Sequence, residues 1–219
     1  GLTILRQFQA AGIPVLNNSS GIGASRDKLW ALQRFASEEL PIPRTAYARG
    51  ADDLHECIGT VGGPPVVLKL LQGTQGIGVM RCDTVASAES VIDVLARLHQ
   101  PIIVQEYIEE ANGSDIRAIV VGEEVVAAMR RKGKDDDFRS NIHRGGTAEV
   151  IELEDDVKRI CIDACKALDL RFAGVDLLES KRGPLIIEVN SSPGLEGIEA
   201  TTGVDVAGAV IEDLEQLCS

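Results

Sequence analysis

The stretch "FAGVDLLESKRGPLIIEVNSSPG" (172–194) constrains the fold more than any other. Two apolar runs flank a turn signal, "SKRGP", in which Gly183 stands where a short hairpin loop needs a left-handed residue. If Lys181, Arg182 and Gly183 form a three-residue loop, Ser180 faces Pro184 and Asp176 faces Glu188. Directly opposed residues hold their Cβ atoms roughly 4.5–5.5 Å apart. Residues two apart on a strand share a face, so Glu188 and Asn190 emerge side by side. Asp176, Glu188 and Asn190 therefore converge. Two carboxylates that close repel unless a proton or a cation lies between them. An all-oxygen set without His or Cys suits Mg²⁺ or Mn²⁺ rather than zinc. Magnesium completes its shell with water and phosphate oxygens, which points toward a nucleotide. The plainer alternative is a hairpin with two solvated acids and a turn-forming Asn; the hairpin alone does not choose.

A second constellation bears on that choice. "VVLKLLQGTQGIGV" sets Lys69 in an apolar strand and follows it with Gly73, Gly76 and Gly78 before another strand, "VMRC". This is neither the Walker P-loop, whose Gly-Lys-Ser/Thr opens a helix, nor the dinucleotide fingerprint. For the glycines alone a hairpin turn is the simpler account. A lysine in a buried strand, however, is expensive unless it meets an anion. Beside a magnesium-shaped triad, Lys69 and a glycine flap favour a nucleoside triphosphate, with backbone N–H groups closing over phosphates. Lys28, in "SRDKLW", is by itself an ordinary helix lysine.

The rest of the chain sets the build. "GLTILRQFQAAG" reads as an amphipathic helix, "IPVLN" as a strand, and "SRDKLWALQRFASEEL" as one helix with Ser25 as N-cap, stopping at Pro41. Strands "PPVVLKLL", "VMRC" and "PIIVQEYI" surround the helix "TVASAESVIDVLARLH". A hairpin, "DIRAIVVGEEVVAAMRR", turns at Gly122-Glu123. Strand "TAEVIEL" and helix "EDDVKRICIDACKALDL" precede the acidic hairpin, and a last helix starts near Gly203. Hairpins mixed with covering helices predict an α+β fold, not a strictly alternating parallel sheet. With 44% hydrophobic and only 3% aromatic residues, the core is aliphatic.

Composition narrows the function classes. The formal charge of −12 argues against general nucleic-acid binding. Five scattered cysteines without a CxxC pair argue against zinc or disulfide chemistry and for buried thiols in a reducing cytoplasm. No stretch is long and apolar enough to span a membrane. One segment breaks the acidic pattern: "RRKGKDDDFRSNIHR" (130–144) holds six Lys/Arg and a His.

Together these residues resemble the ATP-grasp superfamily, and within it the RimK-type glutamate ligases. "SRDKL", "VVLKLLQGTQGIGV", "VQEYIEE", "SDIRAIVVG", "FRSNIHRGG", "AGVDLL" and "GPLIIEVNSSPGLEGIE" occur in family order and spacing, from about Asn17 to the C-terminus. The resemblance implies two lobes with antiparallel or mixed sheets and covering helices, gripping ATP between them. It implies residues 1–16 as the remnant of a preceding N-terminal domain, 17–103 as a central lobe with the flap, and 104–219 as a C-terminal lobe with the metal site. Lys28 and Lys69 would contact phosphates under the flap of Gly73, Gly76 and Gly78. Glu106 and Tyr107 would meet adenine, with backbone groups doing much of the reading, and Asp115 the ribose. Arg139, Ser140 and Asn141 would reach phosphates and metals, with Lys69 and Arg139 in catalytic roles. Asp176, Glu188 and Asn190 match the family's ligands for Mg²⁺ or Mn²⁺, two ions in all.

The implied chemistry is ATP-dependent carboxylate–amine ligation. An acceptor carboxylate takes the γ-phosphoryl group, and the amine of glutamate displaces phosphate from the acylphosphate. The implied acceptor is the acidic C-terminus of a small-subunit ribosomal protein, with the enzyme a dimeric or tetrameric homo-oligomer. Arg130, His143 and Arg144 are candidates for the substrate side, a solvated surface being the plainer alternative. Related ligases act on a pterin or deazaflavin coenzyme or on an amino-group carrier protein. An inactive nucleotide-binding regulatory module ranks lowest, because Lys69, Arg139 and the metal set all remain.

Overall fold

In the computed structural model, which describes residues 1–71, 78–97, 100–134 and 146–219, the buried apolar runs centre two antiparallel sheets. The chain enters through three helices: α1 (Leu2–Ala10), α2 (Ser19–Arg26) and α3 (Lys28–Ser37). The single helix expected over 25–40 is thus two. Asp27 is extended between them, and its carboxylate accepts the N–H groups of Leu29 and Trp30 at 3.0 Å each. An acid at that position restarts a helix by satisfying donors that have no intrahelical partner. Ser25 is no cap; its hydroxyl donates to the Ile22 carbonyl within α2. "IPVLN" forms no strand either. Asn17 makes an isolated bridge to Leu170, and its side chain bonds the backbone of Arg171, Phe172 and Ser191 in place of a ladder.

The first lobe contains β1 (Thr45–Ala48), α4 (Leu54–Val61), β2 (Val66–Leu70), β3 (Val79–Cys82), α5 (Val85–Arg97) and β4 (Ile102–Glu106). Its strand order is β1-β4-β2-β3. Alternation sends Val66, Leu68, Ile102 and Val104 under α4 and α5, where they pack with Leu54, Ile58, Val61, Ala88 and Ile92. Lys69 therefore lies on the face turned away from these helices, opposite Ile103.

The second lobe contains β5 (Ser114–Val121), β6 (Glu124–Lys132), β7 (Thr147–Val150), α6 (Asp155–Ala167), β8 (Phe172–Leu178), β9 (Leu185–Asn190), α7 (Glu196–Thr202) and α8 (Val206–Leu217). Its order is β7-β6-β5-β8-β9. The last helix expected from Gly203 is instead the second of a pair, with Gly203 closing α7 in a left-handed conformation. One face of the sheet carries the main core: Ile116, Ala118, Val175, Leu177, Ile186 and Val189 pack against Phe35, Cys161, Ala164 and Cys165. Each Ile, Leu or Val side chain among them contributes about 1.5–3 kcal/mol by leaving water. Helices α2 and α3, expected with the first lobe, pack on this second sheet, and the expected boundary at 103/104 falls inside β4.

The acidic hairpin reaches the expected pairing by another route. Ser180 and Gly183 exchange both backbone hydrogen bonds, so the loop is Lys181-Arg182 alone, with Gly183 at φ 98°. Near the turn Leu178 faces Leu185 and Leu177 faces Ile186. A bulge at Ile187 then shifts the register, restoring Asp176 opposite Glu188 and Gly174 opposite Asn190.

Candidate active site

The other face of the second sheet is divided. At one end Ile119, Val121, Ala127 and Met129 pack under Ile198 and Val206 of α7 and α8. Toward the other end the same alternation brings up Asp115, Arg117, Arg131, Asp176, Glu188 and Asn190. Asp176 is buried and doubly held. Arg117 donates Nε to Oδ1 and Nη2 to Oδ2, both at 2.6 Å, and Arg131 Nη2 reaches Oδ2 at 3.0 Å. Arg131 also forks onto Asp115, with bonds of 2.7 and 2.5 Å. Burial alone would raise the Asp176 carboxyl, but the two guanidinium groups outweigh it and hold the group ionised below its ordinary range.

A close approach borders this cluster. A Cβ on Gly174 would lie 3.0 Å from Pro193 Cβ, so glycine there lets the Pro193 loop pack against β8, while at 3.6 Å the Arg117 Nε would be in ordinary contact.

Glu188 is exposed beside Asp176, and Asn190 is half-buried, its Oδ1 accepting the Ser192 N–H at 3.0 Å. Among the described residues, Asp176 Oδ1 accepts one hydrogen bond and Asn190 Oδ1 one, which leaves each oxygen acceptor capacity, and Glu188 is exposed. That donor set fits a hard divalent cation. It needs the Asn190 amide as its third member, because no group of three His, Cys, Asp or Glu among the described residues is arranged to hold a metal.

The first lobe adds a cation from across the cleft. Lys69 is partly covered as a residue, but its ammonium end lies deep; burial lowers its pKa to about 8, with Glu188 opposing and Lys28 reinforcing the shift. Lys28, first residue of α3, thus shares the cleft with Lys69 and Glu188. Three residues from separate elements, far apart in sequence, are thus near enough to act on one another's charge.

Other expected site residues are placed differently. The Glu106 carboxylate accepts the Arg44 N–H at 2.7 Å, Arg44 Nε at 2.8 Å and the Arg182 guanidinium. Burial pushes Glu106 up, but these donors prevail and hold it below its ordinary value. Tyr107 N–H bonds the Pro65 carbonyl at 3.3 Å, and its ring lies 4.2 Å from the Arg81 guanidinium. Asp115 belongs to the arginine cluster rather than standing open. Gly73, Gly76, Arg139, Ser140, Asn141, His143 and Arg144 lie outside the described residues, while Gly78 sits at φ 76° where β3 begins.

Arg130 lies on the opposite face from the cluster, paired with Glu149 and Glu179. The cause is a bulge. From the Gly122-Glu123 turn, unbroken pairing would set Arg130 opposite Asp115, but Val126 is extra, so Asp115 meets Arg131 instead. Sequence reasoning missed Arg117 and Arg131. Arg117 was within reach, since it is two residues from Asp115 on one strand; Arg131 was hidden by the bulge.

The model of the RimK-like ATP-grasp domain matches residues 25–214. A probable alpha-L-glutamate ligase of Azotobacter vinelandii is 53% identical over 216 residues, covering 99% of this chain and 72% of the relative. Among solved structures, ATP-grasp ligase PsnB complexed with a minimal precursor superposes with a TM-score of 0.79 at 26% identity, covering all of this chain and 68% of that one. The same ligase with a phosphomimetic variant of the minimal precursor, Mg and ADP gives 0.78 at 25% identity, with coverage of 100% and 66%. The chain belongs to the RimK-like ATP-grasp family of ligases, alongside relatives named probable alpha-L-glutamate ligases.

Proposed function

We propose that this ligase joins the amine of L-glutamate to the C-terminal carboxylate of an acidic peptide, in the cytoplasm, at the expense of ATP. The observation that carries the reading is the meeting of Lys69 and Lys28 with Glu188 across the cleft, beside the Asp176–Arg117–Arg131 cluster. Opposed cations and hard oxygen donors are what a magnesium-bound triphosphate requires. ATP lies between the lobes, its adenine along the main chain of Glu106 and Tyr107 and its ribose near Asp115. Lys28, Lys69 and the flap of Gly73, Gly76 and Gly78 hold the phosphates, with Arg139, Ser140 and Asn141.

Asp176, Glu188 and Asn190 would hold Mg²⁺ or Mn²⁺, two ions in all, which would neutralise phosphate charge. The acceptor carboxylate oxygen bonds to the γ-phosphorus and ADP leaves; the glutamate nitrogen then bonds to the acyl carbon and phosphate leaves with the C–O electrons. The enzyme supplies position and charge, with no covalent nucleophile. His143 and Arg144 remain on the substrate side; Arg130, on the far face, does not.

A peptide acceptor is favoured because ATP-grasp ligase PsnB has been solved with precursor peptide PsnA2 and AMPPNP. We take the acceptor to be the C-terminus of a small-subunit ribosomal protein and the assembly to be a dimer or tetramer. Mass spectrometry of a peptide ending in Glu-Glu, incubated with the protein, Mg-ATP and glutamate, tests the reading. A ladder of added glutamyl residues is expected. ATP turnover only with a coenzyme or carrier-protein acceptor would reassign the acceptor, and no glutamate-dependent turnover would overturn the proposal.

A further inference from the structure

Glu106 has a carboxylate that the proposed chemistry does not use, although it is among the most elaborately bonded acids in the protein. The first lobe joins the second through two chain crossings, at Pro41–Arg44 and at Tyr107–Gly113. Both pass one point. Arg44 precedes β1, Glu106 ends β4, and the Glu106 N–H bonds the Arg44 carbonyl at 3.0 Å. The carboxylate then binds Arg44 through its N–H and its guanidinium, and takes a further bond from Arg182. Arg182 belongs to the second lobe, at the tip of the β8–β9 hairpin. One carboxylate therefore ties both crossings to that hairpin.

The surroundings reinforce the knot. Lys181 pairs with Glu110 at 3.6 Å, Ile186 N–H bonds the Pro41 carbonyl at 2.8 Å, and Ile108 and Ala111 pack on Leu185. The Glu106 side chain is 8% exposed, whereas Arg44 and Arg182 are 55% and 49% exposed. A buried acceptor between two half-exposed donors is held firmly, while either arginine can be removed without opening the core.

The position of the knot gives it leverage. Val66 is the residue of β2 opposite Glu106, and Lys69 follows three residues on, or about 10 Å along the strand. A 10° swing about Glu106 would shift Lys69 by roughly 1.7 Å against Glu188 on the other lobe. Misplacement by about 1 Å in a reacting constellation can cost about 100-fold. The same hairpin carries Arg182 at its tip and Asp176 and Glu188 at its far end.

We infer that Arg182, through Glu106, is a positioning residue that fixes the angle between the lobes and so the placing of Lys69 opposite Glu188. It touches no reacting atom. The inference rests on the nucleotide reading only for its kinetic consequence; the angle itself can be measured without ligand.

Cys218 is exposed and free and the other four cysteines are buried, so Ser90→Cys on the exposed side of α5 completes a pair of spin labels, one per lobe. Double electron–electron resonance on that protein should give one narrow distance, which Arg182→Ala broadens or shifts by several ångströms. In unlabelled protein, Arg182→Ala should raise KM for ATP about tenfold with kcat changed less, and Arg182→Lys should restore most of it. An unchanged distance with KM within twofold of wild type overturns the inference. So does a lower Tm with an unchanged distance, which marks a merely structural role. If the wild type binds no ATP, the function proposed above fails, and the distance measurement still decides this one.

Discussion

The two faces of the second sheet are made by the same strands, yet they obey different rules. On the α6 face Ile116, Val175, Leu177, Ile186 and Val189 form an aliphatic layer in which each side chain is satisfied by contact alone. On the other face Asp115, Arg117, Arg131 and Asp176 are nearly as buried, but stable only as a set, because each charge depends on another. The first face stabilises the fold one methyl group at a time. The second trades stability for a fixed arrangement of charge next to Glu188 and Asn190, where only Glu188 is open to solvent. What differs is the kind of loss each face suffers when one residue is changed.

The sharpest break in that contrast is Asp176→Asn, the one change expected to damage both fold and chemistry. It leaves Arg117 buried without its counter-charge, at a cost of about 3–5 kcal/mol, which a urea titration would show as a lower midpoint. An unchanged midpoint would mean that the charged face is not a mutually dependent set.

Glu188→Ala should instead separate the two kinds of loss. The residue is exposed, so the fold should hold while metal-dependent turnover falls about 1,000-fold, or about 4 kcal/mol of barrier. Wild-type activity in that variant would refute the metal assignment. The mirror-image variant is Ile186→Ala on the aliphatic face. It should cost about 2–5 kcal/mol of stability and leave kcat unchanged in protein that remains folded.

Lys69 tests whether the first lobe belongs to the same charged system. Lys69→Met should weaken ATP binding about tenfold to 100-fold, read by calorimetry, since it removes a buried cation from the cleft. The smallest effect is the pH dependence. The wild-type ammonium titrates at about 8, so ATP affinity should fall about tenfold between pH 7 and pH 9 as the proton is lost. That slope should vanish in Lys69→Met. The sign for stability is opposite. The unfolded lysine keeps its proton to its ordinary value of 10.5, so the unfolded state binds more protons above pH 8, and this residue's contribution makes the folded state more stable as pH rises through that window. Below pH 8, Lys69→Met should therefore be the more stable protein.

Legibility followed the same division. Apolar periodicity and turn chemistry placed most strands, the hairpin at Gly122-Glu123 and helix α5 of the first lobe, because each depends on neighbours in sequence. The failures were local competitions. Asp27 divided one helix into two by capping, and Asn17 bonded backbone through its side chain where a strand was expected. Asp176 did face Glu188, although the predicted loop was one residue too long. The two-residue turn and the Ile187 bulge are offsetting steps of one residue. At Val126 nothing compensated, and the bulge exchanged Arg130 for Arg131 at the charged face.

By itself the sequence determined which residues would be costly to bury without a partner: Lys69 in an apolar strand, and Asp176 in a hairpin strand whose opposite residue, Glu188, stays exposed. It also determined the family, through motifs in order. Tertiary structure decided who the partners are. Glu106 went to Arg44 and Arg182, Asp115 to Arg131, and Asp176 to two guanidinium groups at once. The reason is that burial cost is a property of each residue, written in the chain, whereas pairing depends on a register that a single bulge reverses, because side chains on a strand alternate with a period of two.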